Sequence, residues 1–108
     1  MKYSLILSGK FKKSLKLARK RGLDIDLLDS VVEKLINGIP LENRHKDHAL
    51  GGSFKGFREC HIQPDWLLIY LIEDDILNLT LVDTGTHAEP STMKKNIPIK
   101  VVRLSEKS

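Results

Sequence analysis

With 108 residues the chain can build one compact domain around a single core, and it is too short for two. Its 41% apolar and 30% charged residues place it in the soluble globular class, and no internal repeat or low-complexity block interrupts it. The formal charge of +4, from 18 Lys and Arg against 14 Asp and Glu, favours an acidic partner without naming one, and the longest apolar run, Trp66 to Ile72, is far too short to cross a bilayer.

Tyr3 to Leu7 reads as a short strand, and Ser8 stands as the N-cap of a helix that runs to Gly22. Phe11, Leu15, Ala18 and Gly22 share one side of that helix, while Lys12, Lys13, Lys16, Arg19 and Lys20 spread over a broad basic arc. Asp24 caps a second helix with an apolar stripe of Leu28, Val31, Val32, Leu35 and Ile36, and Asn37-Gly38 followed by Pro40 stops it. This helix is acidic, so the basic one is the candidate electrostatic footprint for a polyanion.

Leu41 to Lys55 is polar and glycine-containing, which predicts a long loop carrying Arg44, His45, Lys46, Asp47 and His48, with both histidines solvated. Phe57 to Ile62 alternates as a strand, Trp66 to Ile72 reads as a central strand, and Ile76 to Val82 as a third, with Glu73-Asp74-Asp75 turning between the last two. Trp66 fits core or rim better than a base-stacking platform. Beyond His87 comes a loop-like stretch, then a basic extension over 93–108 in which 97–102 suits either an edge strand or a loose tail. The expectation is an α+β domain over 1–92 of order β-α-α-β-β-β, two N-terminal helices on one face of a mainly antiparallel four-stranded sheet.

The lone Cys60 has no partner within the chain and no secretory signal opens it, so a reducing, cytoplasmic setting is expected. A meander brings the end of one strand beside the start of the next, which makes His61, Asp65 and His87 neighbours at one end of the sheet. Alternation sets Glu59 on the same strand face as His61, and His48 can join from the preceding loop. Imidazoles exchange protons at cellular pH, so this cluster on a basic protein points to RNA cleavage by internal 2′-hydroxyl attack. That chemistry needs a proton acceptor, a proton donor and positive charge at the phosphorane, for which Arg58 and loop lysines such as Lys46 are candidates. It calls for no cofactor, and the histidine separations match no short metal-ligand motif.

The run from Lys46 to Tyr70, which includes Asp47-His48-Ala49-Leu50 and His61-Ile62-Gln63-Pro64-Asp65-Trp66, closely resembles the YafQ branch of the RelE-type bacterial toxins, and Thr84-Gly85-Thr86-His87 resembles the closing motif of that family. The resemblance implies the microbial ribonuclease-like fold and a ribosome-dependent endoribonuclease that cuts mRNA. It further implies a cognate antitoxin from the same operon, with a toxin monomeric alone and hetero-oligomeric when inhibited. Carried over by motif, His48, His61, Asp65 and His87 form the active site, with His87 as general acid and Asp65 with His61 or His48 as the proton-accepting side. Arg58 is assigned to the phosphate and Glu59 to orienting its neighbours.

The chain departs from the family pattern after His87, where a leucine-phenylalanine pair is replaced by Ala88-Glu89-Pro90-Ser91-Thr92. Two alternatives therefore stand beside the nuclease. One is a catalytically impaired member that binds antitoxin and nucleic acid without cleaving, and the other is a stand-alone RNA-binding regulator.

Overall fold

In the computed structural model, residues 1–86 are described, so His87, the domain limit at residue 92 and the 93–108 extension lie outside the described residues. The buried Ser8 sets the first helix: its hydroxyl oxygen accepts the Phe11 N–H at 2.9 Å and the hydroxyl donates to the Val82 carbonyl at 2.7 Å. One small side chain thus caps a helix and ties it to a distant strand.

The described chain runs β1 (Ser4–Leu7), α1 (Gly9–Lys20), α2 (Ile25–Ile36), β2 (His48–Ala49), β3 (Arg58–Gln63), β4 (Trp66–Glu73) and β5 (Asn78–Thr86). Short 3₁₀ turns lie at Asn43–His45 and Gly52–Phe54. Asp24 caps α2 through the Asp26 N–H. Both helices end at a glycine in the left-handed region, Gly22 at φ 78° and Gly38 at φ 70°. There the N–H groups of Leu23 and Ile39 reach back to the carbonyls of Ala18 and Lys34. Those paired bonds are the Schellman closure, for which a residue without Cβ is best suited.

The strands form one sheet of order β1-β5-β4-β3-β2, parallel between β1 and β5 and antiparallel elsewhere. The sheet therefore has five strands among the described residues, not the expected four. The extra strand, β2, has two residues inside the segment read as loop, too short for alternation to register in the sequence. β5 also starts later and runs further than its apolar run indicated, because Asp83 to Thr86 complete the ladder with Trp66 to Ile69.

The helices cover one sheet face, where Phe11, Ala18, Leu28, Val31 and Leu35 pack with Cys60, Ile62, Trp66, Leu68, Tyr70, Leu79 and Leu81. Trp66 is a core residue, 1% exposed, its indole N–H donating to Thr84 Oγ1 at 2.8 Å. On the other face a smaller cluster of Phe57, Leu67, Ile69, Leu71 and Val82 lies under Leu50 and Phe54. No helix among the described residues is long and apolar enough to cross a membrane.

Candidate active site

β3 alternates between the two faces: Cys60 and Ile62 point into the helix-covered core, while Glu59 and His61 point to the face away from the helices. β2 lies antiparallel to it, with His48 directly opposite Glu59 and Ala49 opposite Arg58. Directly paired side chains share a sheet face, so His48 joins Glu59, and His61 sits on the diagonal at roughly 7–8 Å in Cα spacing. The structure thus brings His48, Glu59 and His61 together.

The two imidazoles are held through their Nδ1 atoms. His48 Nδ1 lies 2.7 Å from the Lys46 carbonyl oxygen, and His61 Nδ1 lies 3.2 Å from that of Pro64. A carbonyl only accepts, so each Nδ1 carries the proton it donates. His48 Nε2 is 3.5 Å from Glu59 Oε1, with the histidine side chain 48% exposed and the carboxylate side chain 5% exposed. The other Glu59 oxygen, Oε2, is buried without a hydrogen-bond partner among the described residues. A buried acceptor of that kind suits orientation of an imidazolium or of a substrate hydroxyl.

Asp65 is exposed in the turn between β3 and β4. That turn stands at the same sheet end as His61, since His61 pairs with Leu67, Leu67 with Gly85, and Trp66 with Thr86. His87 follows Thr86 in sequence and is outside the described residues. Lys46 is exposed beside His48, in a left-handed conformation at φ 46°.

Arg58 is not brought to this group. It precedes Glu59, and its guanidinium works on the helix side, where Nη2 is 3.2 Å from Asp47 Oδ2 and Nε is 3.3 Å from the Tyr70 hydroxyl. Burial opposes its charge, but the bonds to Tyr70 and Asp47 outweigh burial and raise its pKa. In the folded molecule the Arg58 charge is thus paired with Asp47. His45 also departs from expectation: it is buried, not solvated, with Nδ1 2.6 Å from the His61 carbonyl oxygen. That carbonyl lies where the β3–β4 register shifts, so a side-chain donor fills a gap in the ladder. No spacing in the sequence signals this contact.

Cys60 is fully buried, and burial followed by the nearby Asp47 and Glu59 charges pushes its thiol up to about 12. A protonated, inaccessible sulfur is not a nucleophile. The basic arc of α1 is exposed at Lys12, Lys13, Lys16, Arg19 and Lys20.

Fold and site together define a small α+β protein with imidazole and carboxylate groups on the sheet face opposite its helices and a basic helix on its surface. The family model described as "Bacterial toxin of type II toxin-antitoxin system, YafQ" matches residues 3–91, and the chain belongs to this family. The mRNA interferase toxin YafQ of Escherichia coli strain K12 is 46% identical over 82 residues, 75% of this chain and 87% of that protein. The crystal structure of the E. coli DinJ-YafQ toxin-antitoxin complex aligns at a TM-score of 0.74 with 43% identity, covering 82% of this chain and 96% of the other. A crystal structure of a metal-bound toxin from Helicobacter pylori aligns at a TM-score of 0.75 with 45% identity, covering 81% of this chain and 97% of the other. Among the described residues no three His, Cys, Asp or Glu side chains are grouped to hold a metal ion.

Proposed function

We propose that this toxin is an endoribonuclease that cuts mRNA on the ribosome by proton transfer between its own side chains and the substrate, acting in the cytoplasm. The observation that carries the reading is the shared sheet face of His48, Glu59 and His61, with both imidazoles anchored through Nδ1 to backbone carbonyls. The name of the E. coli relative, an mRNA interferase, agrees with it.

In this reaction the 2′-oxygen of one nucleotide attacks the adjacent phosphorus while a base accepts its proton. The bond from phosphorus to the 5′-oxygen then breaks, and an acid protonates that oxygen, leaving a 2′,3′-cyclic phosphate and a 5′-hydroxyl end. Asp65 with His61 or His48 takes the accepting role, and His87 the donating one. Glu59 orients His48 and offsets the charge of its imidazolium. Lys46, two residues before His48, offers positive charge to the phosphorane, and the exposed lysines of α1 dock on ribosomal RNA.

By likeness to the DinJ-YafQ complex, the inhibitor is an antitoxin, encoded in the same operon, that forms a hetero-oligomer with an otherwise monomeric toxin. The test is cleavage of mRNA on programmed ribosomes, read by primer extension. Cleavage should stop when the nucleotide before the cut carries 2′-deoxyribose, and should fall at least 100-fold with His48→Ala or His61→Ala. Full-rate cleavage of the 2′-deoxy substrate would overturn the mechanism, and efficient cleavage of the same mRNA without ribosomes would overturn the ribosome requirement.

A further inference from the structure

β2 carries His48 on a two-residue ladder at the sheet edge. Its two residues make two ladder pairs with β3, the Leu50 N–H bonds the Phe57 carbonyl at 2.9 Å just beyond them, and Lys46, one residue ahead of Asp47, sits in the left-handed region that disfavours a non-glycine residue. Ordering each backbone residue also costs conformational entropy. A side-chain contact on the residue leading into β2 would add to what this short ladder supplies.

Asp47 supplies that contact. Its side chain, 27% exposed, turns to the helix side of the sheet, where its carboxylate accepts the Tyr70 hydroxyl and the Arg58 Nη2–H at 3.2 Å, with Arg58 Nε at 3.4 Å. Arg58 and Tyr70 are themselves partners across the β3–β4 ladder, so one carboxylate joins three adjacent strands. Tyr70 is anchored in the core at 1% exposure, and burial together with the Asp47 bond keeps the proton on its oxygen. The donor is thus fixed in position before Asp47 meets it. Bonds to an ionised acceptor are roughly twice as strong as neutral ones, and the Arg58 pair adds a two-point grip.

We propose that Asp47 is a positioning residue for His48: by clamping β2 to Tyr70 and Arg58 on the helix side, it holds the next residue's imidazole opposite Glu59 on the substrate side. The inference rests on the reading of His48 as a proton-transfer group, and it adds how that group is kept in register. A one-residue slip of β2 would send His48 to the wrong face, because side chains alternate along a strand.

The experiment measures single-turnover cleavage on ribosomes for Asp47→Ala, Asp47→Asn, His48→Ala and the Asp47→Ala/His48→Ala double variant, with the rate at saturating toxin separated from the half-saturating concentration. Asp47→Ala should lower the saturated rate about 10- to 100-fold, the scale of a small misplacement of a catalytic group, with the half-saturating concentration within twofold of wild type. Asp47→Asn, which keeps an oxygen for both donors, should recover most of the rate. Adding Asp47→Ala to His48→Ala should cost nothing further. A multiplied loss in the double variant, or an Asp47→Ala enzyme at full rate, would overturn the proposal. Tyr70→Phe removes one hydroxyl of the clamp from an intact core, so a 3- to 10-fold rate loss is expected there, and an unchanged rate counts against the clamp even if Asp47→Ala does not fold. The imidazole NMR signals of His48 separate the two readings: if His48→Ala cleaves normally, the catalytic reading fails, yet those signals should still show ring disorder in Asp47→Ala.

Discussion

His48 on β2 and Glu59 on β3 face each other as direct ladder partners, an exposed imidazole whose Nε2 lies 3.5 Å from the oxygen of a buried carboxylate. The pair sits across an edge strand, so the histidine is open to a polymer substrate while the carboxylate behind it is withdrawn from water. At low local dielectric the carboxylate acts more strongly on the ring than it would in solution.

Glu59→Gln keeps the side-chain volume and removes the charge. Cleavage should fall about 10- to 100-fold, within the range for acid-base groups, while stability holds or rises because an ionised carboxylate no longer has to be desolvated. Single-turnover assays and thermal denaturation of the same samples measure both. A variant that cleaves at the wild-type rate would show that the carboxylate has no part in the chemistry.

The basic arc of α1 is expected to act through phosphate contacts. Replacing Lys12, Lys13 and Lys16 together by Ala should weaken ribosome binding and make the slope of log affinity against log salt shallower by roughly 2–3, about 0.7–0.9 for each phosphate no longer neutralised. Sedimentation binding across a salt series tests this. An unchanged slope would mean those lysines form only a solvated face.

Stability should fall at alkaline pH for a reason that lies in the core. The folded state keeps the Cys60 proton up to about 12 and raises Tyr70 as well, whereas the unfolded chain releases them near the ordinary values of 9.0 and 10.0. The native state therefore binds more protons above about pH 9, and unfolding becomes easier as pH rises from there. Denaturant midpoints at pH 8 and pH 10.5 should differ in that direction, and Cys60→Ala should reduce the difference. The same burial predicts that Cys60 resists alkylation at pH 8 until the protein is unfolded.

Trp66 belongs to the core, and its change should register in stability. Trp66→Ala should cost about 3–5 kcal/mol, as expected for a buried aromatic whose volume is removed. Trp66→Phe, which gives up mainly the bond to Thr84, should cost less than half of that. Chemical denaturation followed by far-UV circular dichroism measures both.

Much of the architecture was legible locally. The Ser8 and Asp24 caps and the Gly22 and Gly38 stops are written within a few residues of the ends they set, and the alternation of β3 correctly separated Glu59 and His61 from Cys60. Meander topology also brought the His61 and Asp65 turn to the β5 end where Thr86 pairs with Trp66. These are short-range effects of sterics, hydrogen bonding and side-chain period.

Three assignments needed the folded molecule. His48 lies on a two-residue strand that only pairing with Glu59 and Arg58 creates, and His45 is buried because the His61 carbonyl, 16 residues on, takes its bond. Arg58, assigned to the phosphate by motif, pairs with Asp47 and Tyr70, 11 and 12 residues away. By itself the sequence determined the family and the α+β class and named the residues of the candidate site, because motif and periodicity are local properties of the chain. Which side chains share a face and which charges are already committed was decided only by the register of remote strands, since that register depends on contacts the linear order does not contain.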